Sequence, residues 1–291
     1  MAGIMLKLSD KISVLLEMIK FKLTIFAMPF AFIGAFLAAQ GAPSFVTFLL
    51  VILAMVGART AAMGFNRIVD WKFDAANPRT AERAIPTGEV SLKEAWVMVI
   101  TASLLFFTAC FLLNPFTLTL SPLALILTFG YSLTKRFTSL CHIVLGVALA
   151  FSPLGGWVAV QGTLIGYPWF LSLGVLFWVA GFDTIYACLD ADFDKQQGLY
   201  SLPARLGRSM AFRLAGLFHI LAFLFFFLTG YQSDLNIWYY VGLMLTAAAL
   251  LYQHLIVSPT DLSRIHASFF SMNGFISVVL FFATWLAIAT S

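Results

Sequence analysis

The sequence predicts an all-α polytopic membrane protein, with nine transmembrane helices in a bundle around a central cavity that opens to the cytosolic side. Of the 291 residues, 61% are hydrophobic and 10% are charged, and 31 are Phe. Mean hydropathy is +0.95. A soluble domain of this length could not bury so much apolar surface. Apolar runs of about 20 residues, the length that crosses a bilayer, recur along the whole chain.

Short polar loops separate these apolar runs and define the nine predicted helices. The helices cover residues 19–40, 44–71, 94–113, 115–134, 140–161, 168–189, 211–230, 235–256 and 267–289. We therefore predict a single transmembrane domain over residues 1–291. One offset aligns Asp70 with Asp190 and also Asp74 with Asp194, which suggests a pseudo-repeat of two helical bundles whose acidic motifs lie at 66–83 and 183–194.

The basic residues predict the orientation in the membrane. Lys and Arg of short loops are retained on the cytoplasmic side. If the N-terminus is cytoplasmic, all 17 Lys and Arg lie on that side or in the adjoining helix ends. We therefore predict an integral membrane protein with its N-terminus and the mouth of its cavity on the cytoplasmic side. The predicted location is a bacterial cytoplasmic (inner) membrane. The net charge of +4 suits membrane lipid and an anionic ligand as partners. Neither nucleic acid nor an obligate protein partner is predicted.

The first acidic stretch lies at the end of the second predicted helix. Its polar residues recur every four positions, so on a helix they follow one face. They are Asn66, Asp70 and Asp74. Asn77-Pro78 ends the helix, and a polar loop with Arg79 and Arg83 follows.

The second acidic stretch lies at the end of the predicted helix 168–189. Asp190 and Asp194 follow Asp183 by seven and eleven residues, which are close to whole helical turns, so the three carboxylates are predicted to share a face. Asp192 is predicted on the opposite face.

These residues predict a site for magnesium and a diphosphate. Carboxylates at the mouth of a membrane bundle are costly to desolvate, so they need cationic partners. Their number and spacing suit a hard cation with oxygen ligands, and magnesium takes few carboxylates together with phosphate oxygens. Acidic edges with Arg and Lys between them describe a site where two metals and guanidinium groups share the charge of a diphosphate. A structural alternative, in which the charged groups pair only with each other, remains open.

Both stretches resemble motifs of the UbiA superfamily of intramembrane prenyltransferases. The family motif NDxxDxxxD, followed by RTxxR, is similar to NRIVDWKFDAANPRTAER at 66–83, and DxxYAxxDxxxD matches DTIYACLDADFD at 183–194. The YxxxKR turn of family members is similar to Tyr131, Lys135 and Arg136. Arg67 replaces the usual second-position Asp, and this variant resembles a branch of quinone-pathway members.

The resemblance implies a role for each motif residue. The implied magnesium ligands are Asn66, Asp70, Asp74, Asp183, Asp190 and Asp194. Those implied to be catalytic are Asp70, Asp74, Asp190 and Asp194. Diphosphate binding is implied for Arg79, Arg83, Lys135 and Arg136, and acceptor binding for Arg59 and Tyr186. The charge of Arg59 suits a carboxylate on the acceptor; its alternative role is a counterion for Asp183 or Asp190.

The implied reaction is magnesium-dependent transfer of a polyprenyl group from polyprenyl diphosphate to a small aromatic acid, in ubiquinone or menaquinone biosynthesis. We favour 4-hydroxybenzoate as the acceptor, with a dihydroxynaphthoate as the alternative. A CDP-alcohol phosphatidyltransferase would show a tighter acidic pattern that is absent from this sequence. A secondary transporter, the non-enzyme alternative, would have broken helices and charges near the midplane, whereas these acids cluster at one interface.

Overall fold

The structure, a computed structural model, describes residues 8–20 and 24–291, and this part of the chain contains helices, turns and loops without a β-strand. The α-helices are α1 (Leu8–Met18), α2 (Thr24–Ala39), α3 (Phe45–Ala76), α4 (Leu92–Leu113), α5 (Pro115–Thr134), α6 (Cys141–Gln161), α7 (Trp169–Ala187), α8 (Ala191–Gln196), α9 (Leu202–Leu206), α10 (Arg208–Gln232), α11 (Ile237–Leu255) and α12 (Asn273–Ala289). A π-helix, Ala267–Met272, leads directly into α12. Lys7, Lys22 and part of the predicted first helix lie outside the described residues.

Seven helices of the described chain are long and apolar enough to cross a membrane: α3 to α7, α10, and the continuous segment Ala267–Ala289. The chain is therefore an integral membrane protein. The segments predicted at 19–40 and 235–256 form α2 and α11, which do not meet the same standard. Helix α2 has 16 residues, Thr24–Ala39, and α11 ends in polar residues that include Gln253 and His254. Nine crossings remain a prediction.

Helix α3 is longer than a crossing requires and carries the first acidic stretch. Its 32 residues correspond to about 48 Å at 1.5 Å per residue, against about 30 Å for the hydrocarbon core of a bilayer. The predicted membrane span ended near residue 71, but the helix continues to Ala76, where Asn77-Pro78 ends it as the sequence predicted. The additional turns keep Asp70 and Asp74 on one continuous helix.

Small residues let α2 and α6 pack backbone against backbone. A Cβ atom built on Gly156 would lie 1.9 Å from the carbonyl oxygen of Ala31, and one on Gly34 would lie 1.9 Å from that of Pro153. Such close approach of helices is a common use of glycine in membrane bundles. Helix α6 also packs on α7, so this contact helps to set the position of the helix that carries Asp183.

Gly156→Ala is expected to lower the thermal unfolding temperature in detergent, because the added methyl group overlaps a backbone oxygen that cannot rotate away. Overpacking of this kind costs about 1–3 kcal/mol. The matched control is Gly155→Ala, since a Cβ at Gly155 meets no atom within 4 Å. Equal unfolding temperatures for the two variants would contradict the close contact between α2 and α6.

Candidate active site

A cavity of about 480 Å³ lies within the helical bundle, a volume typical of small-molecule sites, which span about 300–1,000 Å³. All the site residues predicted from the sequence line it: Arg59, Asn66, Asp70, Asp74, Arg79, Arg83, Lys135, Arg136, Asp183, Tyr186, Asp190 and Asp194. The structure thus brings both acidic stretches and the basic pair to one place.

Asp74 lies between two guanidinium groups. Arg83 Nη1 is 2.6 Å from Asp74 Oδ1, and Arg67 Nη1 is 3.4 Å from Asp74 Oδ2. Arg67 is buried and also donates from Nε to the carbonyl oxygen of Met18, at 3.4 Å. The residue that departs from the usual family motif is therefore a counterion of the neighbouring carboxylate.

Asp70 is oriented from both sides. Arg136 Nη2 is 2.8 Å from its Oδ1, and the Asn66 side-chain amide donates to its Oδ2 at 2.9 Å. The same Arg136 donates to the backbone oxygens of Ser132 and Val69, each at 2.8 Å. The basic turn after α5 is thereby attached to α3.

Asp190 connects the second acidic stretch to the loop that follows the first. Arg79 binds it with two hydrogen bonds, Nη2 to Oδ2 at 2.5 Å and Nε to Oδ1 at 2.8 Å, and Asn77 Nδ2 donates to Oδ1 at 2.9 Å. Burial alone would raise the pKa of the Asp190 carboxyl, but the hydrogen bonds and charge of Arg79 outweigh burial and lower it. Asp190 is therefore held as a carboxylate.

Asp194 is the most deeply buried of the paired carboxylates, with 2% of its side chain exposed, and Lys135 Nζ lies 3.0 Å from its Oδ2. Burial by itself would lower the pKa of Lys135, but the charge of Asp194 reverses the effect and raises it. Asp192 lies outside the cavity, with 81% of its side chain exposed and Arg208 as its partner at 2.8 Å.

The spacing of the second acidic stretch predicted that its carboxylates share one helical face, and this prediction is wrong. Helix α7 ends at Ala187, and the next turn tightens, with the Asp190 amide donating to the Ala187 carbonyl at 3.1 Å. Asp183 lies in α7, Asp190 in the turn and Asp194 in α8. The three reach the same cavity because the chain bends between them.

Asp183 has a partner of a different kind. His142 Nδ1 lies 2.7 Å from Asp183 Oδ2, and no Lys or Arg of the described chain forms an ion pair with this carboxylate. His142 is 1% exposed, and the sequence alone offers no spacing that would join it to Asp183.

Arg59 lines the cavity without an acidic partner among residues 8–20 and 24–291, and its Nε is buried without a hydrogen bond. The counterion alternative is not observed, because Asp183 and Asp190 bind His142 and Arg79 instead. The Tyr186 ring lies beneath the Arg79 guanidinium, 5.7 Å from its central carbon, and 4.3 Å from the Phe269 ring.

The cavity residues that were not assigned to the site from the sequence include Lys20, Arg67, Asn77 and His142. Burial lowers the pKa of Lys20, and the charges of Arg67 and Arg83 lower it further. Asn77 could have been assigned to the site from its position within the NPRT segment. Lys20 resembled an ordinary interfacial lysine, so no sequence signal placed it here.

Carboxylate and amide oxygens are the donors that magnesium prefers, so the residues fit this ion by type. Within the described part of the chain, however, no three His, Cys, Asp or Glu side chains converge on a metal position, because Arg and Lys orient the carboxylates.

Lys135→Ala is expected to destabilise the protein by about 3–5 kcal/mol, because it leaves the buried Asp194 without its counterion. The free energy of unfolding, measured by denaturant titration in detergent, gives the loss. Arg208→Ala is the control. It removes the exposed partner of Asp192, for which about 0–1 kcal/mol is expected. Similar losses in both variants would contradict the burial of the Lys135–Asp194 pair.

Comparison with known proteins gives a consistent match. The model of the UbiA prenyltransferase family matches residues 27–288. The 4-hydroxybenzoate octaprenyltransferase of Shewanella pealeana is 30% identical over 249 residues, 86% of each chain. A UbiA homolog from Aeropyrum pernix K1 has a TM-score of 0.84 at 36% identity, covering 90% of this chain and 96% of that one. A UbiA homolog from Archaeoglobus fulgidus bound to DMAPP and Mg2+ shares the fold, with a TM-score of 0.69 at 19% identity, over 95% and 99% of the two chains. Because the family model spans nearly the whole sequence, this protein belongs to the UbiA prenyltransferase family.

Proposed function

We propose that this prenyltransferase moves a polyprenyl group from polyprenyl diphosphate to 4-hydroxybenzoate, with magnesium, in the biosynthesis of a lipid quinone. Relatives named 4-hydroxybenzoate octaprenyltransferase support the acceptor, and family membership favours an enzyme over the transporter alternative. The observation that carries the proposal is the unequal pairing of charge in the cavity. Four carboxylates lie against Arg or Lys, while the guanidinium of Arg59 has no acidic partner in the described chain.

The paired charges form the proposed diphosphate end of the cavity. Arg79, Arg83, Lys135 and Arg136 can donate to phosphate oxygens as they now donate to carboxylates. The carboxylates they release, together with Asn66, would hold the metal: Asp70, Asp74, Asp190 and Asp194. Magnesium, when bound, would offset the charge of the diphosphate and weaken its bond to the prenyl carbon.

Arg59 and Asp183 form the proposed acceptor end. Arg59 precedes Asn66 by seven residues on α3, which places it about 10 Å from Asn66 in the direction of the helix N-terminus. Asp183 lies inside α7, whereas Asp190 lies beyond its end. Tyr131 lines the same cavity as Arg59 and Asp183. Asp183 was predicted as a metal ligand, but its partner is the almost fully buried His142 rather than a Lys or Arg that could turn to a phosphate oxygen, so we propose that Asp183 faces the acceptor.

Transfer then breaks the bond between the prenyl carbon and oxygen, and the electron pair leaves with the diphosphate. The electron-rich ring of the acceptor attacks the allylic cation, a carbon–carbon bond forms, and the ring loses a proton. Aromatic side chains line the cavity: Trp178, Phe182, Tyr186, Phe269 and Phe270. Their faces can stabilise the cation, and their bulk excludes water that would otherwise capture it.

We also propose that the cavity opens to the cytoplasm. Apart from Arg67 on α3, the Lys and Arg that contact its carboxylates belong to the 79–83 loop and the turn at 135–136. Positive-inside retention assigns both of these segments to the cytoplasmic side.

Purified protein in lipid nanodiscs, given polyprenyl diphosphate, 4-hydroxybenzoate and magnesium, is expected to form the prenylated acid, detected by mass spectrometry. Asp70→Asn, Asp74→Asn, Asp190→Asn and Asp194→Asn should each reduce turnover by at least about 100-fold, since each removes a charge that would bind the metal.

Asp192→Asn is the control for this series. It lies outside the cavity and is expected to keep the wild-type rate. Near-normal rates in two or more of the cavity variants would contradict the proposed metal site, and absence of prenylated product with the wild type would contradict the reaction.

Arg59→Ala is expected to raise the KM for 4-hydroxybenzoate about 10- to 100-fold, the equivalent of about 1.5–3 kcal/mol for a lost charge-assisted contact. The KM for polyprenyl diphosphate should change little. Arg83→Ala is the matched variant with the opposite expectation, because Arg83 lies at the diphosphate end. An unchanged acceptor KM in Arg59→Ala would show that the carboxylate of the acceptor binds elsewhere.

A further inference from the structure

His142 is a buried link between the cavity and the polypeptide that follows α8. Its Nδ1 contacts Asp183 Oδ2 at 2.7 Å, and its Nε2 accepts a hydrogen bond from the backbone N–H of Leu202 at 3.3 Å. His142 is 1% exposed, while Asp183 lines the cavity with 26% of its side chain exposed. Both residues line the cavity, but of the two only the carboxylate has appreciable exposed surface.

The partner of Nε2 determines the tautomer of this imidazole. A backbone N–H can only donate, so Nε2 must be the unprotonated nitrogen. The ring proton is then on Nδ1, where it is donated to Asp183. A histidine whose second nitrogen is fixed in this way holds its carboxylate partner in one orientation.

The backbone donor is itself fixed. The Tyr200 amide donates to the Lys135 carbonyl at 2.7 Å, and the Ser201 hydroxyl, in a residue with no exposed surface, accepts from the Ala204 amide at 3.3 Å. The segment before α9 is therefore held against the turn that follows α5, and the Leu202 N–H points at His142.

We propose that His142 is a positioning residue for the transfer reaction. Held by Leu202 in the Nδ1–H tautomer, it orients Asp183 so that its second carboxylate oxygen accepts a hydrogen bond from the hydroxyl group of the aromatic acceptor. An acid bound by Arg59 through its carboxylate carries that hydroxyl on the opposite side of the ring. This hydrogen bond increases electron density at the ring carbon beside the hydroxyl, where the new bond forms. The inference rests on the proposed function for the identity of the acceptor.

Two substitutions separate the two hydrogen bonds of His142. In His142→Asn the amide Nδ2 replaces Nδ1, so the donor to Asp183 is kept and the acceptor for Leu202 is lost. In His142→Gln the amide Oε1 replaces Nε2, so the acceptor is kept and the donor is lost. The Gln variant is expected to lose about tenfold in kcat, the effect of one hydrogen bond, with little change in either KM. The kcat of the Asn variant should stay within about threefold of the wild-type value.

Thermal unfolding of both variants and their binding of magnesium with a non-reactive diphosphate analogue should stay close to wild type, because neither measurement depends on the Asp183 orientation. Equal kcat values in the Asn and Gln variants, whether normal or reduced, would overturn the proposal. If the wild type does not prenylate 4-hydroxybenzoate, the proposed function fails at that step, before the two variants are compared.

The tautomer of His142 can be determined without measuring enzyme activity. In protein labelled with 15N-histidine, the signal that disappears in His142→Asn should show a protonated Nδ1 and an unprotonated Nε2 at neutral pH. A protonated Nε2 on this residue would overturn the proposal, whatever the acceptor.

Discussion

The cost of burying charge controls the organisation of this site. Moving an ion out of water into a protein costs several kcal/mol of free energy, even after the protein relaxes. This penalty is one reason why ionisable groups within membrane bundles face one another. Here the carboxylates of both acidic stretches reach Arg, Lys or His within 2.5–3.4 Å. These pairs join parts of the chain that are far apart in sequence. Arg79 and Asn77 bind Asp190, Arg136 binds Asp70, and Lys135 binds Asp194.

Under the proposed function, the same pairs would let a highly charged substrate enter a bundle of apolar helices. A diphosphate with magnesium brings both signs of charge, so each cation of the protein can exchange a carboxylate for a phosphate oxygen, and each carboxylate can exchange a cation for the metal. The number of unpaired charges need not rise during the exchange. Arg59 differs because it has no carboxylate to exchange within the described chain, and an acidic acceptor would supply one.

Much of the site followed from helical spacing, and the rest depended on tertiary contacts that spacing does not encode. Asn66, Asp70 and Asp74 could be placed on one face because α3 continues past them to Ala76. Spacing failed for the second stretch, where α7 ends at Ala187 and a turn reorients Asp190. Periodicity carries no information about partners such as His142 for Asp183, which are 41 positions apart.

The central claim is that the charges that hold the site together are also those that hold the substrate. It is tested most directly by titrating magnesium calorimetrically into the protein in nanodiscs, with and without a non-hydrolysable thio-analogue of prenyl diphosphate. Because coupling between two ligands is reciprocal, we expect magnesium to bind at least about tenfold more tightly when the analogue is present. Equal magnesium affinity in the two titrations would contradict the exchange of ion pairs and would mean that the metal and the diphosphate bind independently.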